Sequence, residues 1–333
     1  MSTAVITPQE KNSKFAVSDR LKGQFQQLLA FASLVVIVVF FSVASPNFMT
    51  WSNITGILLA ASIVGVLALG TTFVIITGGI DLSIGTGMTL AAVMTGVFLT
   101  YWSLPTWLGV ILAILVGAAI GATNGVLIAY FRIPPFIATL AMMLVARGLS
   151  LVIANTAPIY FPNNPDFNLI ASGSIIPGIN FPNGALIFLV VAVLAGIVLN
   201  KTVLGRYDFS IGSNEEATAL SGVNTKRWKV AIYSFAGLFT GLAGVLLASR
   251  VSSAQPALGM GYELDAIAAV VSGGTSLIGG KGSIVGTVIG ALIMAVLNNG
   301  LQILSIKQEW QFVVVGLVIL LAVYMDMIRR KEA

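Results

Sequence analysis

The sequence predicts an all-α, polytopic membrane protein of about ten transmembrane helices with both termini cytoplasmic, and three observations predict it. First, 57% of the 333 residues are apolar and 9% are charged, with a mean hydropathy of +0.98; a water-facing surface cannot be built from that mixture. Second, apolar stretches recur at 28–44, 54–77, 86–102, 107–130, 136–154, 184–199, 231–248, 266–278, 284–304 and 311–328. Most approach the roughly 20 residues that a helix needs to cross a hydrocarbon core of about 30 Å. Third, the basic residues are unevenly divided. With the N-terminus inside, the inner segments hold Lys11, Lys14, Arg20, Lys22, Arg132, Lys201, Arg206, Lys226, Arg227, Lys229, Lys281, Arg329, Arg330 and Lys331, and the outer ones hold Arg250 and Lys307. That bias is the positive-inside pattern and requires an even number of crossings.

The elements follow in order. Residues 1–27 form a cytoplasmic segment, 28–328 the transmembrane domain and 329–333 a cytoplasmic tail. The stretch 28–44 ends in Ser42-Val43-Ala44, which resembles a signal-peptide cleavage site, but its preceding 27 residues and long apolar core fit a retained first span better. Trp51, Trp102, Trp107 and Trp310 fall at outer ends of spans, at the depth where indoles favour the headgroup region. The segment 155–183 holds five prolines and one charge, Asp166, and forms an outer lobe because so polar a run cannot cross lipid. The inner segment 200–230 is the most charged in the chain and the best surface for a cytoplasmic partner. The stretch 266–278 is the weakest span, being short and crowded by Gly273, Gly274, Gly279 and Gly280. V-G-A-A-I-G-A at 116–122 and V-G-T-V-I-G-A at 285–291 begin the fourth and ninth spans. Five crossings apart, they suggest an inverted five-plus-five repeat, as transporters use; close helix packing through Gly-x-x-x-Gly explains them equally.

Enzyme chemistry finds little here. Without His or Cys there is no imidazole base, no thiolate, no disulfide and no common zinc ligand set. The string S-G-G-T-S-L-I-G-G-K-G-S-I-V-G-T at 272–287 resembles a phosphate loop, but Gly280-Lys281 is followed by Gly282 and the position five before Gly280 is Thr275, so the spacing fails. The chain carries no ATPase motif and no metal site, and one isolated intramembrane acid is thin support for proton coupling.

Two sets of residues carry the functional expectations. At 213–222, Ser213 and Glu216 fit a capping box, Ala217, Ala219 and Leu220 continue a two-turn helix, and Gly222 stops it in a left-handed turn. So short a helix is marginal alone, which points to docking on a partner, an ordinary helical loop being the alternative. In G-G-I-D-L-S-I-G at 78–85, Asp81 either caps the third span or lines a pathway, and the cap is preferred. Thr71, Thr72, Thr77, Asn124, Asn298, Asn299 and Gln302 place uncharged polar groups inside spans. As a group they suit a neutral, hydroxyl-rich solute; singly they are better explained as interhelical hydrogen bonds. Arg147 lies inside the fifth span, to snorkel or to pair with an unidentified acid.

The stretch R-V-S-S-A-Q-P-A-L-G-M-G-Y-E-L-D-A-I-A-A-V-V-S-G-G-T-S-L-I-G-G-K-G-S at 250–283, G-T-V-I-G-A-L at 286–292 and L-N-N-G-L at 297–301 closely resemble the membrane subunit of bacterial ribose-type ABC sugar importers. T-G-G-I-D-L-S-I-G at 77–85, P-F-I-A-T-L at 135–140 with Arg147-Gly148, L-G-R-Y at 204–207 and N-E-x-A-T-x-L-S-G-V-N at 214–224 are similar to the same family, which covers most of 54–304. The resemblance implies a homodimer of ten-helix subunits, a cytoplasmic ATPase with two fused cassettes that binds Mg-ATP, and a periplasmic or lipid-anchored sugar-binding protein. It maps the coupling helix onto 205–222, with Ser213, Asn214, Glu215, Glu216, Ala217, Leu220 and Gly222 as the coupling residues; Thr77, Asp81, Asn124, Asn298 and Asn299 are the pathway candidates. The chain is thereby expected to pass a pentose or similar polyol across the inner membrane, the competing reading being a secondary transporter or facilitator that works alone.

Overall fold

The computed structural model describes residues 27–331 apart from 177 and 179. Lys11, Lys14, Arg20 and Lys22, and the end of the tail at 332–333, lie outside the described residues. The chain forms helices α1 (Gln27–Ala44), α2 (Trp51–Ile76), α3 (Ile84–Gly96, continued by one π-helical turn, Val97–Tyr101), α4 (Thr106–Ala129), α5 (Pro135–Ile153), α6 (Leu169–Ser172) and α7 (Asn183–Lys201). These are followed by α8 (Val203–Ser213), α9 (Glu215–Leu220), α10 (Thr225–Val251), α11 (Tyr262–Ser272), α12 (Ile284–Ile303) and α13 (Gln308–Lys331). Eight of them, α1 to α5 with α7, α10 and α12, are long and apolar enough to cross a membrane.

The eighth and tenth expected crossings are different. α11 has 11 residues, about 16 Å of helix at 1.5 Å per residue, so 266–278 is not a full-length span. Glycines set both ends: Gly259 and Gly261 precede it and Gly274 follows it, all with positive φ. α13 runs 24 residues, with its described apolar part at Gln308–Leu321.

α2 lies at the centre because it is apolar all round and rich in small residues; every residue from Ala61 to Ile76 is buried. It packs against α7, α10, α11 and α12. Peripheral helices turn large apolar side chains outward, such as Leu144 and Val152 on α5, Val193 and Leu194 on α7, and Leu317 and Leu320 on α13, as lipid contact permits. α1 is fastened by Phe41, which is 2% exposed and lies where a Cβ on Gly300 would overlap its ring.

The most extensive helix pair is α4 with α10. Gly117, Gly121 and Gly125 recur every four residues, and a Cβ on them would meet the backbone of Gly237, Tyr233 and Val230. The second G-x-x-x-G string behaves alike: Gly286 and Gly290 of α12 press on Gly273 and Ala269 of α11. α4 thus packs on α10, and α12 packs on α11 and α2, the close helix approach that Gly-x-x-x-Gly permits.

The segment 155–183 is tied to the tops of α3 and α10. β1 (Ile159–Tyr160) pairs antiparallel with β2 (Ser253–Ala254). The Ser249 hydroxyl donates to the Phe167 carbonyl at 2.8 Å and accepts from the Ala171 N–H at 2.9 Å. Phe161 and Phe167 pack with ring centroids 4.5 Å apart and planes tilted by 50°. Trp51, Trp102, Trp107 and Trp310, all exposed, stand at helix ends on this side.

Candidate functional site

The opposite end of the bundle gathers Arg206, Lys226, Arg227, Lys229 and Lys281 around α8 and α9. α8 is amphipathic and turns Gly205, Asp208 and Ile211 inward. It is held by backbone proximity: a Cβ on Gly205 would overlap the Leu199 carbonyl, and one on Gly212 the Ile76 carbonyl. The Gly280 N–H donates to that same Ile76 oxygen at 2.9 Å. The end of α2, the end of α8 and the loop before α12 therefore meet through Gly212, Gly279 and Gly280, the last two with φ of +94° and +72°. In this loop the Gly279 N–H bonds Ser276 O and the Ser276 N–H bonds Lys281 O, so these amides serve the turn rather than forming an anion cradle.

α9 follows after a single extended residue, Asn214. Its cap corrects the expectation from sequence: Ser213 is the last residue of α8, and Asn214, extended at φ −160° and ψ 101°, accepts the Ala217 N–H on Oδ1 at 2.9 Å. The short amide side chain of Asn reaches the third N–H from an extended backbone, which Ser213, held helical by α8, cannot do. Glu216 is consequently the second residue of the helix and points to solvent. The left-handed stop falls at Gly222, φ +87°, and Asn224 caps α10 by accepting the Arg227 N–H at 3.1 Å. Glu215 is paired with Lys229 at 2.6 Å, at an exposure where such a pair contributes little.

The surface this produces is open and partly apolar. Of α9, only Thr218 is buried; Glu215, Glu216, Ala217, Ala219 and Leu220 are exposed, Leu220 at 84%. Beside it a cleft of ≈ 640 Å³ is lined by Tyr207, Phe209, Ser213, Asn214, Ala217 and Gly280 among others. Tyr207 is braced by Trp228, centroids 4.8 Å apart. The six-residue helix cannot persist on propensity alone; its cap and its continuity with α8 present a rigid projection with an uncovered leucine.

Behind this surface lies a buried polar chain. Asp81 Oδ1 accepts the Ser83 N–H at 2.8 Å and the Ser83 hydroxyl at 2.6 Å, and Asn124 Nδ2 donates to that hydroxyl at 2.8 Å. Asp81 thus closes an Asx turn onto the residue before α3 instead of capping the helix itself, since the chain enters α3 in an αR Ser83 that leaves no side-chain cap. Nearby, the Tyr233 hydroxyl stands where a Cβ on Gly79 would be. Sequence reasoning singled out neither Tyr233 nor Asp208; the signal for Asp208 was its i, i+3 spacing with Gly205 and Ile211 on the inward face of α8.

The five pathway candidates are not brought together. Asp81 and Asn124 share the chain just described, and the Thr77 hydroxyl bonds Val74 O at 2.7 Å. Asn298 donates to Asp265 at 3.3 Å, and Asn299 exchanges two amide bonds with Asn53, 3.0 and 2.8 Å. Thr71 bonds back to Leu67 O, while Thr72 reaches Thr287 across α2 and α12 at 2.7 Å. These groups fasten helices. Arg147 is exposed on α5, and no acid among the described residues lies within ion-pair distance of it.

Burial pushes the Asp208 carboxyl well above its ordinary value, with no cation to offset it. An acid raised in the folded state binds protons more tightly than when unfolded, so stability should decline as pH rises above the usual carboxyl range near 4. Asp208→Asn is expected to flatten that decline and to raise the melting temperature at pH 8 but not at pH 4.5. Parallel melting curves for the two proteins at every pH would contradict this.

The model of the family described as "Branched-chain amino acid transport system / permease component" matches residues 53–323. The chain is 43% identical to the ribose import permease protein of Bacillus subtilis strain 168 over 100% of both chains. It is 43% identical to that of Escherichia coli strain K12, covering 92% of this chain and 95% of the relative. It is also 35% identical to the fructose import permease protein of Rhizobium meliloti over 89% and 84% of the two chains. No solved structure matches the chain.

Proposed function

The chain belongs to the family of branched-chain amino acid transport system permease components, and from that premise we propose that it is the transmembrane subunit of an ATP-driven importer for a neutral monosaccharide, a pentose such as ribose or a similar polyol. The observation that carries this is the exposed, capped α9 with its uncovered Leu220 beside an open cleft at the basic end of a multi-pass bundle. A gate that hydrolyses nothing itself needs such a handle.

The cytoplasmic partner is a double-cassette ATPase that holds Mg-ATP. Its closure presses on Asn214–Gly222, and because α9 continues α8 through Asn214 the push passes to Gly212. There it meets the end of α2 at Ile76 and the loop at Gly279 and Gly280, the start of α12. Two central helices receive the movement at one point. A second copy of the chain completes the pathway, and the 155–183 lobe, braced on Ser249, receives the sugar-binding protein. Exchange between two inverted halves then alternates the opening. Neutral hydroxyl-bearing solutes suit a bundle whose span interiors offer amides and hydroxyls.

The test is reconstitution in vesicles with the ATPase and the sugar-binding protein. The expected result is uptake of labelled D-ribose only when ATP and both partners are present. Uptake by the chain alone, down a gradient or with protons, would instead establish a stand-alone transporter.

A further inference from the structure

The eight long helices carry very few charges within their length, and those of α7 and α10 sit within the first five or last two residues. Arg147 is different. It lies about 18 Å along α5 from Pro135 and about 9 Å from Ile153 at 1.5 Å per residue, and it faces outward. Next to it, Gly148 is open: nothing lies within 4 Å of the position a Cβ would take. A guanidinium facing lipid costs from about 3 to more than 10 kcal/mol, so charged groups at such depth face protein or water.

A second, independent feature lies on the same side. Between β2 and α11 the chain from Gln255 to Gly261 is not helical, yet it runs along α3: the Thr89 hydroxyl bonds the Leu258 carbonyl, and Gly85 and Gly259 touch backbone to backbone. Ala257, Met260 and, one turn into α11, Leu264 are exposed on it. Irregular backbone at membrane depth is tolerated only in protein or along a water-filled cavity. α3 joins the two features. Leu90 packs in one cluster with Ala146, the neighbour of Arg147, and the adjacent Thr89 holds Leu258. The buried Ala146 face of α5 and the irregular segment therefore flank one turn of α3, and Arg147 projects from the exposed side of α5 next to that face.

We propose that the solute path runs between α5 and the 255–264 segment along α3, and that the Arg147 guanidinium donates hydrogen bonds to the hydroxyls of the passing sugar. The identity of the solute rests on the importer reading; the location of the path does not. Neither Asn298 nor Asn299 is needed for it, since both are engaged between helices.

The chain contains no cysteine, so single-cysteine variants report directly. In the complete complex in vesicles, Gly148→Cys and Met260→Cys are expected to react with a charged, membrane-impermeant methanethiosulfonate at least tenfold faster than Leu194→Cys, which sits on the outward face of α7. Arg147→Met should lower D-ribose uptake at least tenfold, chiefly through KM, with Arg147→Lys recovering part of it and both variants assembling normally. Equal, slow reaction at all three cysteines would overturn the proposal and leave Arg147 reaching for headgroups. Fast reaction combined with normal uptake by Arg147→Met would overturn the assignment of the arginine. A wild-type complex that moves no D-ribose would defeat the functional reading, while the pattern of thiol reactivity would still decide where the path lies.

Discussion

Leu220→Asp is expected to abolish ATP-driven uptake, by at least a hundredfold, while the chain still inserts and folds. Leu220 is 84% exposed and contributes nothing to the folded core, so a carboxylate there costs the isolated subunit almost nothing. In contact with a partner the same carboxylate would be driven into an apolar pocket without a counter-ion, a penalty of several kcal/mol. Gly222→Val attacks the same surface differently. The backbone at Gly222 has φ +87°, a conformation a β-branched residue strongly resists; α9 then ends wrongly although nothing crowds the new side chain. Glu216→Lys should weaken coupling less, because Glu216 stays solvated at the helix start and only the charge seen by the partner reverses. Co-purification of the ATPase with each variant, together with uptake, distinguishes these effects. Full uptake by Leu220→Asp would remove α9 from the coupling surface.

Gly121→Val should prevent folding altogether, with no monodisperse protein recovered in detergent. A Cβ at Gly121 overlaps the Tyr233 carbonyl oxygen, which belongs to backbone and cannot rotate away. Relief would require separating α4 from α10, the most extensive helix pair of the bundle. Overpacking commonly costs 1–3 kcal/mol where side chains can adjust; here the neighbour is a main-chain atom, and about 3 kcal/mol or more is expected. Gly148→Val is the control, since that glycine has open space around it, and its recovery should match wild type. Equal recovery of Gly121→Val would mean the α4–α10 contact is looser than its glycines indicate.

Much of this architecture was legible because lipid imposes simple rules. Apolar length located each helix, and small residues at four-residue spacing marked where two backbones meet. The string from Ser213 to Gly222 announced a short helix with a glycine stop, because φ above zero and side-chain capping are local properties. The cap itself was placed one residue early: Ser-x-x-Glu and Asn-x-x-Ala overlap by one position, and only the end of α8, a matter of packing on Ile76, decides between them. The half-length α11 was half visible, in the glycines beyond its end, but the extended lead-in at 255–261 was not. Its stability comes from Gly85 and Thr89, more than 160 residues away in sequence. The same remoteness hides the partners of Asn298 and Asn299, since Asp265 and Asn53 cannot be read from their own helix.

The two helices that start within the bundle have one further consequence. The first turns of α3 and α11 meet at Gly85 and Gly259, and each brings the positive end of its peptide dipoles to that place. A carboxylate accompanies each: Asp81 holds the approach to α3, and Glu263 accepts the Gly261 N–H at 3.0 Å at the start of α11. Each buried carboxyl group thus has backbone or hydroxyl donors of its own within one turn, and the two helix starts are fastened at the place where α3 and the lead-in to α11 touch.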